Sequence, residues 1–150
     1  MKQRFRIGKI SFQDPLILCG AFAILLYFDA SGFLRVGLLA AVLHEMGHIM
    51  AYLFLRHRFP HLEVTMTGFC MKTRKEHFSA NEQLLLAAAG LGVNILLAVW
   101  AVFYLSRRAT IWWSAFFAAN LLTGAFNLLP IPPLDGAQIL RCLMQSVPRK

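Results

Sequence analysis

The stretch FLRVGLLAAVLHEMGHIMAYLFL, residues 33–55, decides how the rest of the chain is read. At about 1.5 Å of rise per residue, a helix over this stretch exceeds the roughly 30 Å thickness of a hydrocarbon core. Its one basic residue, Arg35, sits near an end, where the side chain can snorkel to headgroups. His44, Glu45 and His48 lie well inside it. Ionisable groups at such depth are costly and mark function more often than structure. The plain alternative is that they hydrogen-bond neighbouring helices as structural glue.

The order His44-Glu45-Met46-Gly47-His48 is H-E-x-x-H. On a helix, positions i and i+4 are offset by about 40° around the axis and about 6 Å along it, so two imidazoles can reach one ion. Zinc accepts imidazole nitrogen at about 2.0–2.1 Å. The intervening glutamate then lies beside the ion, where it can take a proton from bound water.

The composition around this stretch agrees with a membrane. Hydrophobic residues make up 58% of the 150-residue chain and charged residues only 15%. Ordinary soluble domains hold about 45–50% and about 25%. Further apolar runs fall at about 15–30, 82–105 and 111–129. The expectation is therefore an all-α polytopic membrane protein, a single domain over 1–150. It has about four transmembrane helices, at 15–30, 33–55, 82–105 and 111–129. The first run is the shortest, and it lacks a small-x-small cleavage site, so it reads as a retained span.

Between the spans, residues 29–32 (DASG) form a turn. The polar stretch 56–81 contains LEVTMTGFCMK at 62–72, which reads as a short β-hairpin turning at Thr67-Gly68. After the fourth run, Pro130-Ile131-Pro132-Pro133 forbids regular helix. Residues 136–147 then read as a C-terminal amphipathic helix at the interface, with Ile139, Leu140, Leu143, Met144 and Val147 on one side.

The net charge of +8 could suggest nucleic acid. Its distribution argues for lipid instead. Of 15 Lys and Arg, 12 fall in the N-terminal tail, the 56–81 stretch and the C-terminal segment. Positive residues gather in cytosolic loops and meet anionic lipid there. The expected location is the cell membrane, multi-pass, with N- and C-termini cytosolic, a bilayer as partner and no nucleic acid. Arg107 and Arg108, in an outer loop, run against the trend. The three cysteines are scattered and form no C-x-x-C motif.

A catalytic zinc needs a third protein ligand and an open position. His57, His61 and His77 are available, but they sit in the charged stretch. Asp135 follows the proline-broken segment, and irregular backbone is tolerated at membrane depth only where protein or a water-filled cavity surrounds it. Asp135 could equally cap the helix that starts after it. Position alone leaves the two readings level.

HEMGH at 44–48 together with NLLPIPPLDG at 127–136 resembles the site-2 protease family of intramembrane metalloproteases. In its small size the chain is similar to the sporulation-type bacterial branch. The resemblance covers most of the chain from Phe33 onward. It implies that His44, His48 and Asp135 hold one Zn2+ per chain. It implies that Glu45 is the general base and that Asn127 helps hold the substrate backbone or the developing oxyanion. The implied reaction is hydrolysis of a peptide bond in or near the transmembrane segment of a membrane-protein substrate. A regulatory membrane protein is a compatible partner. The family's Ala-Gly-Pro-x-x-Asn motif is here Ala89-Gly90-Leu91-Gly92-Val93-Asn94. The proline is missing, which leaves the local bend and the role of Asn94 open.

Stripes of small and polar residues mark helix contacts in membranes. They fall at Gly37, Ala41, His44, His48 and Ala51; at Ala87, Gly90, Asn94 and Ala98; and at Asn120, Thr123, Gly124 and Asn127. Trp100, Trp112 and Trp113 read as lipid-facing or interfacial anchors. Two rival functions remain at this stage. One is a catalytically inactive membrane scaffold; the other is a metal-binding transporter or sensor.

Overall fold

A computed structural model describes residues 4–65, 68–71 and 78–146. These residues are mostly helical. The elements are β1 (Arg4–Ile7), β2 (Ile10–Gln13), α1 (Pro15–Phe28), α2 (Phe33–Arg56), β3 (Leu62–Thr65), β4 (Gly68–Met71), α3 (Ala80–Leu105), α4 (Ile111–Asn127) and α5 (Asp135–Ser146).

Two helices, α2 and α3, are long and apolar enough to cross a membrane. They have 24 and 26 residues. α1, with 14 residues, and α4, with 17, fall short of the roughly 20 that a perpendicular span needs. Of the four expected spans, all are helices and two have spanning length.

Local signals set the helix ends. Pro15 opens α1, where its missing N–H costs nothing. α3 starts with a capping box: the Ser79 hydroxyl accepts from the Glu82 N–H, and the Glu82 carboxylate accepts from the Ser79 N–H. The same carboxylate takes two N–H groups from Arg56, which clamps the end of α2 to the start of α3. α2 stops at His57, whose φ of 52° turns the chain out of the helix. Thr110 caps α4 by accepting from the Trp113 N–H.

The core is the contact of α3 with α2, α4 and α5. The stripe expected on α3 is the buried one, with Ala87, Gly90, Asn94 and Ala98, extended by Ala101. On α2 the packed stripe is rotated from the expected one. Ala40, His44 and Gly47 are buried, whereas Ala41 lines a cavity. On α4, Asn120 and Gly124 pack inward, and Thr123 and Asn127 line that same cavity.

The basic N-terminal tail forms a β-hairpin that the sequence pattern did not show. β1 and β2 pair antiparallel, β2 joins β3 in parallel, and β3 pairs antiparallel with β4, giving the order β1-β2-β3-β4. The sequence pattern missed β1 and β2 because β2 finds its second partner about fifty residues downstream, Ile10 pairing with Leu62. The hairpin expected at 62–72 is present as β3 and β4. Gly68, expected in the turn, is already strand and pairs with Thr65; Thr67, the other expected turn residue, lies outside the described residues. The expected C-terminal helix is α5. It presents Ile139 and Cys142 towards the bundle and leaves Leu140, Leu143 and Met144 exposed. Val147, expected on that apolar side, lies outside the described residues.

Candidate metal centre

His44 and His48 project from consecutive turns of α2 towards α3 and the start of α5. Asp135 Oδ2 lies 3.0 Å from His44 Nε2 and 3.1 Å from His48 Nε2, and the two Nε2 atoms are 3.2 Å apart. These three residues are the one group of metal-ligating side chains found close together among the described residues. Asp135 is the first residue of α5, and its carboxylate turns to the two histidines.

The triangle fits a metal ion. A tetrahedral ion with bonds of about 2.0–2.1 Å separates its ligand atoms by about 3.3 Å. Edges of 3.0, 3.1 and 3.2 Å are slightly shorter than this. These three atoms would hold one ion, which would supply Lewis-acid chemistry to water at the site. The donor set, two imidazoles and one carboxylate, is one that zinc uses for catalysis. His44, His48 and Asp135 are positioned to bind a metal.

The second nitrogen of each imidazole is also engaged. His48 Nδ1 donates to the Leu86 backbone carbonyl at 2.8 Å. His44 Nδ1 meets Asn94 Oδ1. Such partners orient ligating histidines and raise their basicity. Asn94 therefore reaches the centre although α3 runs unbroken through Leu91, where the family motif has proline.

Two glycines let backbone close in on the site. A Cβ on Gly90 would stand 2.5 Å from His48 Nε2 and 2.7 Å from His44 Cε1, so only glycine lets α3 lie directly against both rings. A Cβ on Gly136 would stand 1.9 Å from the Leu128 carbonyl oxygen. The chain doubles back there, after Pro130-Ile131-Pro132-Pro133, and this fold-back delivers Asp135 to α2.

His44 and Glu45 line a cavity of about 1000 Å³ together with Thr123 and Asn127 of α4 and Phe22 of α1. Glu45 is half-buried. The Asn127 Nδ2 group donates one hydrogen bond to the Thr123 carbonyl at 3.0 Å. His57 and His61 are exposed and take no part in the cluster, and His77 lies outside the described residues. Asn120 is the residue whose position near the centre the sequence did not reveal. Its only advance signal was membership of the polar stripe on α4.

Residues 104–150 match the model of peptidase family M50. That match takes in Asn127, Asp135 and Gly136 but not the H-E-x-x-H helix. The fold is similar to that of the site-2 protease from Methanocaldococcus jannaschii, with a TM-score of 0.65 over 97% of this chain and 73% of that one, at 20% identity. No curated protein matches the chain significantly by sequence.

Proposed function

Starting from the site-2 protease family, which the family match and the shared fold together support, we propose that this chain is an intramembrane zinc metalloprotease. In this reading it cuts a membrane-protein substrate in or near its transmembrane segment. The observation that carries the proposal is the convergence of His44, His48 and Asp135 within 3.2 Å of one another, beside a cavity that Glu45 and Asn127 also line.

Zinc held by these three side chains would polarise the scissile carbonyl and acidify water at neutral pH. Glu45 accepts the proton from the attacking water and passes it to the leaving amine. Asn127 has a second amide N–H beyond the one given to Thr123, and it donates this to the carbonyl oxygen as negative charge develops.

The same reading places the chain in the cell membrane as a multi-pass protein, its termini on the cytosolic side. The parallel pairing of β2 with β3 supports this, because it holds the N-terminal strands on the same side as the segment after α2. His48 lies eight residues before the end of α2, about 12 Å along the helix, so water would arrive from that side. A helical substrate hides its peptide bonds in its own hydrogen bonds and must unwind to be cut. Among the described residues β4 is an outer strand of the sheet, and its edge would receive the unwound segment as an added strand.

The deciding experiment reconstitutes the full chain in vesicles with a single-span candidate substrate. Wild type and Glu45→Gln should bind zinc alike, while cleavage by Glu45→Gln should fall by about 10²–10⁴-fold. Equal cutting by both chains would end this mechanism. Zinc binding with no cutting of any membrane substrate would favour the transporter or sensor reading.

A further inference from the structure

We infer that Asn94 and Asn120 form a relay that fixes the tautomer of His44 and so keeps its Nε2 lone pair aimed at the metal position. The inference rests on His44 being a metal ligand.

The direction of the relay can be read from its far end. Asn120 Nδ2 donates to the Phe116 backbone carbonyl at 2.8 Å. A carbonyl only accepts, so the nitrogen of the Asn120 amide belongs at that end. Its Oδ1 then faces Asn94, which must present Nδ2, and this bond is 3.0 Å long. Asn94 consequently turns Oδ1 towards His44, whose Nδ1 must carry hydrogen to donate to it. A neutral imidazole protonated at Nδ1 has its lone pair on Nε2. Nε2 is the atom that faces Asp135 Oδ2 and His48 Nε2.

The comparison with His48 shows why two asparagines are used here. His48 donates directly to a backbone carbonyl, which cannot reverse its polarity. His44 faces a side-chain amide, which can flip. A flipped Asn94 would present N–H to Nδ1, move the imidazole proton to Nε2 and block the metal position. The Asp135 carboxylate pulls the same way, because without metal it favours a proton on Nε2. Asn120 opposes the flip. Asn94 and Asn120 are 1% and 0% exposed, and the cavity beside them, about 530 Å³, is otherwise lined by apolar side chains such as Leu91, Ile95 and Phe117. With Asn94 flipped and the proton on Nε2, the His44 end would be matched but Asn94 Oδ1 would face Asn120 Oδ1, two oxygens with no hydrogen between them in a low-dielectric site where mismatched groups are costly. Asn120 is thus a positioning residue, two hydrogen bonds from the imidazole, and the relay joins α2, α3 and α4.

The test uses the full chain in lipid nanodiscs with 15N-labelled histidine. Metal-free wild type at alkaline pH should show His44 protonated at Nδ1, and a proton on Nε2 instead would overturn the relay. Asn120→Leu should shift His44 towards the Nε2-protonated form and weaken zinc binding, read by chelator competition, by about 10–100-fold. Asn94→Asp presents an accepting oxygen to His44 Nδ1 in either orientation, while its other oxygen would meet Asn120 Oδ1. In that background Asn120→Leu removes the oxygen–oxygen contact and should not weaken zinc binding. An equal loss in both backgrounds would make Asn120 a packing residue and refute the relay. Should Asn120→Leu fail to fold, the wild-type tautomer alone decides. The ligand assignment fails separately: a His44→Ala chain that binds zinc as wild type does would remove it while the tautomer result stood.

Discussion

The two faces of α3 carry opposite kinds of side chain. The buried face is Ala87, Gly90, Asn94, Ala98 and Ala101, all small or polar. The outer face carries Ile95, Leu96, Val99 and Phe103, all exposed, Leu96 by 70%. In water this order would be reversed, because burial of large apolar groups drives folding there. In lipid an outward leucine costs nothing. Close backbone approach and internal hydrogen bonds decide what lies inside. The inner face can therefore be spent on chemistry. Asn94 and Gly90 both meet the histidines of α2, although a buried Asn is uncommon in soluble cores and a glycine inside a helix costs about 1 kcal/mol of propensity.

Four substitutions test that contrast. The largest effect is expected at the centre itself. Asp135→Ala leaves two ligands in place of three. Zinc affinity should fall by more than the roughly 10–100-fold typical of outer-shell changes. Metal content per chain after dialysis against a chelator measures it, and unchanged content would mean that the three side chains do not share an ion.

Leu96→Arg probes the outer face. If that face meets lipid, arginine near the middle of α3 should cost about 3 kcal/mol of apparent insertion free energy. A glycosylation-mapping assay of α3 reads the inserted fraction. Were this face bathed in water, the same substitution would be close to neutral and would improve solubility, which would remove the bilayer from the account.

Gly90→Ala probes the inner face with a single methyl group. The new Cβ would fall within 2.7 Å of both imidazoles, so the rings or α3 must move. A cost of about 1–3 kcal/mol in stability is expected from overpacking. Weaker zinc binding should accompany it, because the displaced atoms are the ligands. Ala98→Gly, lower on the same face, should cost only about 1 kcal/mol and leave zinc binding intact. Equal zinc affinity in both variants would show that Gly90 is ordinary packing.

How much of this was legible in the sequence depended on the range of the interaction involved. The H-E-x-x-H spacing is local, and the broken backbone before Asp135 marked it as either ligand or cap, so only the resemblance to the site-2 proteases completed the ligand set. The inner stripe of α3 was legible because small and polar residues recur at helical spacing. On α2 the stripe was misplaced by about one residue. Ala40 and Ala41 are equally small, and only the position of α3 decides which of them is buried. The N-terminal strands were hidden for a similar reason, since Ile10 acquires its meaning from Leu62. Asn120 was visible as a polar residue, but its place two hydrogen bonds from His44 depends on three helices at once.

The smallest expected effect lies at the far end of α2, outside the contrast between faces. Asp29 Oδ1 accepts from the Leu34 N–H and the Ser31 hydroxyl, and Oδ2 accepts from the Arg35 N–H, so one carboxylate serves several donors at the start of the helix that carries both histidines. Its side chain is only 3% exposed. Desolvation pushes this carboxyl up, but the Arg35 N–H, the Ser31 hydroxyl and the Leu34 and Gly32 N–H groups together outweigh it and hold it below the ordinary range. A carboxyl depressed on folding stabilises the folded state above its unfolded pKa and loses that contribution as pH falls through its lowered folded value. Asp29→Asn should therefore lower the thermal midpoint slightly at neutral pH, and the gap from wild type should close on acidification below the usual carboxylate range. A gap that stays constant with pH would mean that Asp29 acts through shape alone. A gap as large as that for Gly90→Ala would mean that the entry to α2, rather than its contact with α3, sets the position of the histidines.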